Sequence, residues 1–189
     1  RETVLIHAVA SGVGLAAVQI CAAWKARPFG TTRTADKLQR ARSLGLEDGL
    51  VIDRDLTPLA AAVERWTGGR GIDLTLDLVG GGYFSASLGA AAPKGRLILV
   101  GTMAGAEASV PLGVILRKRL FVRGTVLRSR SLEEKIDATR AFERDIVPLL
   151  AAGRLHPVVD SVLPLSRIAE GHRQMEANKT SGKIVLTVD

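Results

Sequence analysis

Several features that would narrow the class of this protein are scarce or missing in the sequence. Cys21 is the one cysteine, so neither an internal disulfide framework nor a cysteine-rich zinc site can form. Aromatic residues make up 4% of the chain. No run of about 18 apolar residues occurs, which predicts no membrane-spanning helix. The first residues, Arg1–Val4, do not read as a signal peptide. A reducing compartment fits best, and we predict a cytoplasmic location.

The composition is that of a globular protein. The 189 residues are 47% hydrophobic and 24% charged, which argues against disorder. The 26 basic residues outnumber the 19 acidic ones, for a formal net charge of +7. Because the basic residues are scattered and no nucleic-acid-binding motif is present, we do not expect nucleic acid as a partner. A dispersed positive field also suits an anionic small molecule.

Apolar runs with β-branched residues alternate with helical patterns along most of the chain. This alternation predicts an α/β protein with a doubly wound, parallel, six-stranded Rossmann sheet in the order 3-2-1-4-5-6. Pro28 cannot donate to a strand ladder, so we expect it at the very start of the second strand. The predicted strands are 4–8, 29–33, 50–52, 72–79, 96–100 and 120–126.

Helix signals separate these strands and continue after them. The pattern predicts a first helix over 13–26, a second over 35–44 capped by Thr34, and a third with Thr57 as N-cap and Pro58 at its first position. Ser131 and Glu134 form a capping-box pattern before a long helix that Gly153 ends. The tail beyond it predicts a strand over 158–163, a helix after residue 166 and a strand over 183–188.

A glycine-rich turn joins the first strand to the first helix. Gly12, Gly14 and Ala17 fit the pattern G-x-G-x-x-G/A. In dinucleotide-binding folds the first glycine allows a tight turn, the second lets the backbone approach the diphosphate, and the small third residue keeps the helix close to the sheet. The helix start then offers free N–H groups to the phosphates. We interpret this turn as a cofactor site, with a plain structural turn as the alternative.

The end of the second strand indicates which dinucleotide would bind. NAD-specific sites place a carboxylate there for the ribose hydroxyls, but here Arg33 and Thr34 follow the strand and Asp36 falls beyond it. Arg33 and Lys37 could instead bind a 2′-phosphate. We therefore predict NADP(H) rather than NAD(H); the alternative is that Arg33 is a solvated surface side chain.

Ligands of doubly wound sheets bind at the carboxyl ends of the strands. The predicted cofactor-binding residues at those ends are Ser11, Gly12, Val13, Gly14, Val79, Gly80, Gly101, Thr102 and Met103. No acid, base or nucleophile stands out, so no catalytic residue is assigned. His7 at a strand end is predicted to be a hydrogen-bonded structural residue, and His156 and His172 are too scattered to suggest a metal.

Separated stretches of the chain also carry a family resemblance. They are 7–14 (HAVASGVG), Gly30-Thr31 with Thr34 and Lys37, 76–81 (LDLVGG), Gly95-Arg96, 127–130 (LRSR) and 175–179 with 182–186 (MEANK, GKIVL). Together they resemble the zinc-free quinone oxidoreductases, the zeta-crystallin-like branch of the medium-chain dehydrogenase/reductase superfamily. The resemblance covers essentially the whole chain.

The resemblance implies hydride transfer from NADPH to a quinone or an activated enone. Residues 1–153 would form the NADP-binding Rossmann domain, and 154–189 would pack on an N-terminal GroES-like catalytic domain that this chain lacks. The chain alone would then bind cofactor but turn over little substrate. Val126 and Leu127 would flank the nicotinamide, and Asn178 and Lys179 would reach the cofactor from the tail. The strand 120–126 would form a homodimer, although its arginines could instead protect an exposed edge.

The sequence also departs from this family. Asp53 stands where relatives often have a tyrosine near the 2′-phosphate, and its charge would repel phosphate unless Arg54 or Arg33 compensates. Lys25 stands where relatives usually have a helix-ending glycine. Two other functions stay open: an enoyl reductase module of a lipid or polyketide synthase, and a non-enzymatic nucleotide- or RNA-binding module.

Overall fold

The computed structural model describes residues 1–188 and contains the predicted sheet. Six parallel strands lie in the order β3-β2-β1-β4-β5-β6, which confirms the doubly wound fold. All strands run the same way, so their carboxyl ends share one edge of the sheet. The strands are β1 (Thr3–Ile6), β2 (Arg27–Thr32), β3 (Asp48–Val51), β4 (Ile72–Asp77), β5 (Ala91–Leu99) and β6 (Phe121–Gly124).

Helices cover both faces of this sheet. Consecutive β1 residues point to opposite faces, so Val4 and Ile6 join one hydrophobic cluster and Leu5 joins another. The first cluster takes Leu15 and Val18 from the first helix, and the second includes Trp66 stacked on Phe29. The helices are α1 (Gly12–Ala23), α2 (Ala35–Arg42), α3 (Pro58–Thr67), α4 (Gly82–Ala90), α5 (Leu112–Lys118), α6 (Leu132–Asp145), α7 (Val147–Ala151) and α8 (Ile168–Glu176).

Some predicted boundaries are wrong, and each has a local cause. Helix α1 ends before residue 26 because Lys25 adopts a left-handed backbone with φ of 60°, at the position where the resemblance expects glycine. Strand β4 ends at Asp77 because its carboxylate accepts the N–H groups of Val79 (2.8 Å) and Gly80 (2.9 Å) and turns the chain away. Helix α5 was not predicted, and the long helix predicted to end at Gly153 is divided at Ile146 into α6 and α7.

Proline and cap positions also differ from expectation. Pro28 is the second residue of the internal strand β2, not its start. The Pro28 carbonyl accepts the N–H of Glu47, the residue just before β3 begins. The position where Pro28 lacks an N–H therefore faces chain that precedes β3, so no hydrogen bond between the strands is lost. Pro58 opens α3 as predicted, but neither Thr57 nor Thr34 accepts a capping hydrogen bond through its side chain. The capping box of Ser131 and Glu134 is confirmed.

The tail forms a second, two-stranded parallel sheet of β7 (Val159–Pro164) and β8 (Lys183–Thr187). It returns over α1 through Gln19, whose side-chain amide donates to the carbonyl of His156 (3.1 Å) and accepts its N–H (3.0 Å). The Gly182 N–H donates to the carbonyl of Ala10 at 3.0 Å. The tail therefore lies against the carboxyl edge of the main sheet. No helix among residues 1–188 is both long and apolar enough to cross a membrane.

His7 is a buried link between the sheet and α4, which confirms its predicted structural role. Its ring lies 2.9 Å (Nδ1) from Thr31 Oγ1 and 2.7 Å (Nε2) from Ser87 Oγ. Because the Ser87 hydroxyl donates to the carbonyl of Tyr83, Ser87 Oγ accepts from Nε2–H and the Thr31 hydroxyl donates to Nδ1. Burial lowers the pKa of His7 to about 4 from 6.5, although the charge of Asp77 opposes the shift.

We predict that His7 makes the protein less stable in mild acid. Between pH 6.5 and 4 the unfolded chain binds a proton at this ring that the folded chain does not, so stability is complete above pH 6.5 and falls as the pH drops. The expected loss between pH 7 and pH 5 is about 2 kcal/mol. Urea unfolding across this range measures it. His7→Gln, which stays uncharged, should be less stable overall but flatter with pH; a variant with the wild-type slope would refute the assignment.

Candidate functional site

The turn between β1 and α1 is held by its own polar groups. Ser11 is the N-cap of α1, and its hydroxyl accepts the N–H of Gly14 at 3.0 Å. The first turn of α1 contains no acidic side chain. Ser11, Gly12 and Val13 line a large cleft, so the positive end of the helix dipole opens into it. This is the arrangement that binds phosphates in other proteins.

The two glycines of the turn have different roles from those predicted. A Cβ at Gly14 would lie 2.5 Å from the carbonyl oxygen of Val9 and 2.6 Å from that of Ala8, so Gly14 is the glycine that the tight turn requires. A Cβ at Gly12 would instead overlap the flexible side chain of Lys183. Gly12 is therefore the residue that lets another group approach the helix start.

The cleft has a volume of about 1130 Å³ and lies at the carboxyl ends of the strands. It collects ten of the predicted cofactor-binding residues, from five strand ends and from the tail. They are Ser11, Gly12, Val13, Arg33, Lys37, Arg54, Val79, Gly101, Met103 and Asn178.

The other predicted residues do not line the cleft. Val126 and Leu127 follow β6 and are 58% and 62% exposed. Lys179 is exposed and does not line the cleft, although its neighbour Asn178 does, and Thr34 precedes α2. Gly80 is buried beneath the 101–105 loop, where a Cβ would lie 2.9 Å from the Cα of Thr102. Gly14 is buried within the turn between β1 and α1. Thr102 lies in the 101–105 loop but does not line the cleft.

A basic group occupies the ends of β2 and β3. Arg33 follows β2, Arg54 follows β3, and both are exposed at the cleft. Lys37 is buried, and its ammonium donates to the carbonyl of Asn178 at 2.5 Å. Burial, together with the neighbouring charge of Arg33, lowers the pKa of Lys37. Lys37 therefore holds the tail against α2, while Arg33 and Arg54 remain available at the surface of the cleft.

Sequence reasoning missed several residues of the cleft. Tyr83 in α4 lines it, and its hydroxyl donates to the carbonyl of Asp53 at 2.8 Å, which fixes the loop after β3. Burial raises the pKa of Tyr83, and the charge of Asp53 raises it further. No local pattern marks Tyr83, because the contact joins α4 to a distant loop. Met175, Thr180 and Lys183 also line the cleft from the tail.

The other reactive side chains that the structure describes form no second site. Cys21 is buried in α1, and burial raises its pKa to about 11. In the part of the chain that the structure describes, no three His, Cys, Asp or Glu side chains come together in a way that could hold a metal ion.

Comparisons with known proteins agree with this geometry. The family described as "Zinc-binding dehydrogenase" matches residues 48–186. A quinone oxidoreductase of Pseudomonas aeruginosa is 30% identical over 98% of the chain, and a highly reducing polyketide synthase of Cordyceps militaris is 31% identical over 99% of it. The chain spans 56% of the former protein and 7% of the latter.

Solved structures share the fold along almost the entire chain. The Escherichia coli quinone oxidoreductase complexed with NADPH is 29% identical, with a TM-score of 0.81 over 98% of this chain and 56% of that one. An NAD-dependent alcohol dehydrogenase is 33% identical, with a TM-score of 0.81 over 100% of this chain and 51% of that one. The chain therefore belongs to the zinc-binding dehydrogenase family of the medium-chain dehydrogenase/reductase superfamily, as an oxidoreductase-type domain homologous to quinone oxidoreductases.

Proposed function

We propose that this chain is the NADP(H)-binding part of an enzyme that transfers hydride from NADPH to a quinone or an activated enone. The observation that carries the proposal is the cleft into which the start of α1 opens between Gly12 and the carboxyl ends of the strands. The cofactor supplies the hydride when bound, and the protein supplies position and charge. The described residues do not fit the zinc ion that the family name implies, so no step is assigned to a metal.

The preference for NADP(H) is supported by the charges beyond β2 and β3. Thr32 pairs with Val51 in the sheet, so Arg33 and the Asp53–Arg54 pair leave neighbouring strand ends. Two guanidinium groups against one carboxylate favour a 2′-phosphate over two ribose hydroxyls. The relative complexed with NADPH is consistent with this choice, whereas the NAD-dependent relative shows that the shared fold alone does not decide it.

Arg33→Asp should weaken NADPH binding by about tenfold or more while sparing NADH, because a charge-assisted contact to phosphate is lost and a repulsive charge is added. Isothermal titration with each cofactor measures the two dissociation constants. Arg140→Asp is the matched control, because it makes the same charge change on an exposed position of α6, outside the cleft lining. An equal loss for NADPH and NADH would show that Arg33 does not bind the 2′-phosphate.

The same proposal divides the chain into a Rossmann domain, residues 1–153, and a C-terminal segment, residues 154–189, that packs on another domain. Val162 and Val185 pair across β7 and β8, yet they are 58% and 39% exposed. An exposed apolar pair on a small sheet supports packing against a further domain of the whole protein. That domain would be the GroES-like one, and substrate would bind between it and the cleft.

The substrate class separates the two enzymatic alternatives. A polyketide synthase relative favours an enoyl thioester, and the quinone oxidoreductase relatives favour a quinone. We expect the full-length protein to oxidise NADPH faster with a quinone such as phenanthrenequinone than with a crotonyl thioester. A full-length protein that reduced only the thioester would establish the enoyl reductase alternative.

The proposed division of the chain has its own test. Residues 1–189 alone should bind NADPH with little turnover, because half the substrate cleft would be absent. Rapid quinone reduction by residues 1–189 alone would refute the proposed division.

We also propose that the protein forms a homodimer through residues 120–126 and that its location is cytoplasmic. Strand β6 is the edge of the sheet, and Phe121 and Val122 are 52% and 41% exposed there. An apolar edge strand with unpaired backbone groups needs a cover, and a second β6 would provide one. Sedimentation equilibrium tests the homodimer, and a result that showed only monomer would refute it. No described feature favours the RNA-binding alternative.

A further inference from the structure

The excess positive charge of the chain is concentrated on one rim of the main sheet. Residues 108–132 contain six arginine and lysine side chains and no Asp or Glu, so they carry +6 of the formal net charge of +7. This segment forms α5, the edge strand β6 and the loop before α6. None of its basic side chains takes part in an ion pair within residues 1–188. The six are Arg117, Lys118, Arg119, Arg123, Arg128 and Arg130.

The backbone of β6 is free on the side that faces away from β5. The Thr125 N–H donates to the Leu99 carbonyl of β5 at 2.9 Å, and backbone groups alternate in direction along a strand. Arg123 therefore points its N–H and carbonyl toward β5, whereas Val122 and Gly124 point theirs away from the sheet. A second copy of β6 would form its hydrogen bonds with Val122 and Gly124.

A symmetric pair of β6 strands brings like charges together. A two-fold interface is self-complementary, so antiparallel pairing of residues 120–126 with the same residues of a second copy is centred on Arg123. Arg123 then lies opposite Arg123 of the partner subunit in a pair without backbone hydrogen bonds, with Cα atoms about 4.5 Å apart. Like charges directly opposite each other destabilise strand pairing. The proposed homodimer is therefore stabilised by any group that neutralises this pair.

A second guanidinium group lies on the same face of β6. Arg123 and Thr125 share that face, because side chains alternate along a strand. Arg130 donates to Thr125 Oγ1 at 2.7 Å, so its guanidinium is held there. Two paired strands would then present four guanidinium groups on one face, and residues 108–132 offer no carboxylate to balance them. Arginine side chains bind oxyanions through paired, charge-assisted hydrogen bonds.

We propose that two copies of β6 together form a binding site for a small multivalent oxyanion of the phosphate class, held by Arg123 and Arg130 of both copies. Neither copy holds the complete site, and the bound anion tightens the dimer. This inference rests on the homodimer of the proposed function, which it deepens by making dimerisation depend on an anion. The site is separate from the cofactor cleft, because none of residues 108–132 lines that cleft.

Sedimentation equilibrium of the full-length protein in dilute buffer tests the site, with inorganic pyrophosphate as the probe. Pyrophosphate should tighten dimerisation by about tenfold or more, as expected for charge-assisted contacts. NaCl at the same ionic strength only screens the charges and should tighten it less. Arg123→Gln should dimerise more tightly than the wild type without pyrophosphate and should lose the response to it. Arg130→Gln should weaken the response. Arg140→Gln, which removes an exposed arginine of α6 outside residues 108–132, is the control and should behave as the wild type.

The outcomes separate this inference from the homodimer on which it rests. A pyrophosphate response that Arg123→Gln abolishes supports the anion site. Equal tightening by pyrophosphate and NaCl, no response to either, or a response that survives in Arg123→Gln overturns the anion site and leaves the homodimer intact.

A further variant tests the pairing itself. Val122→Pro removes an N–H that faces away from β5, so it blocks pairing with a second β6 and spares the hydrogen bonds inside the sheet. Thermal unfolding shows that each variant is folded. A dimer that survives Val122→Pro, or a protein that stays monomeric under every condition, overturns both the homodimer through β6 and the anion site. Neither result bears on cofactor binding in the cleft.

Discussion

The start of α1 depends on how closely the chain can fold back after β1. Gly14 lies so near the carbonyl oxygens of Val9 and Ala8 that only a hydrogen fits, and Ser11 caps the helix within the same turn. This contact aims the first amides of α1 across the carboxyl edge of the sheet. Because all six strands run parallel, their loops gather around that one point. The position of the cleft, and of the residues proposed to bind the cofactor around it, therefore depends on this turn.

The tail is the second contribution to the site. The contacts that hold it in place include Gln19 with the backbone of His156, Lys37 with the carbonyl of Asn178, and Gly182 with Ala10. The result is that a basic group from β8 faces a helix start that lies far from it in sequence. Lys37 illustrates how the two parts depend on each other, since this side chain lines the cleft and also holds the tail through the carbonyl of Asn178.

The parts of this fold set by local chemistry could be predicted from the sequence. Alternating apolar runs gave the strand order, the glycine turn gave the position of the cleft, and Ser131 with Glu134 gave the start of α6. Features that depend on distant contacts could not be predicted. The end of β4 depends on which N–H groups Asp77 accepts, and the left-handed Lys25 ends α1 although no glycine marks the spot. Tyr83 reaches the cleft only because α4 packs beside the loop after β3. The predicted roles of Gly12 and Gly14 are the reverse of those in the structure for the same reason. The sequence pattern shows where the glycines are, but not which neighbouring atoms a side chain at each position would meet.

The central claim is that the first amides of α1 hold the diphosphate of a nicotinamide dinucleotide. Proton–nitrogen correlation NMR of the labelled protein tests it directly, because the backbone amide signals of Gly12 and Val13 report on their own hydrogen bonds. On saturation with NADPH, these signals should move downfield and rank among the largest shifts in the spectrum, since each N–H gains a charged acceptor. NADPH binding that left both signals in place while residues elsewhere shifted would contradict the account.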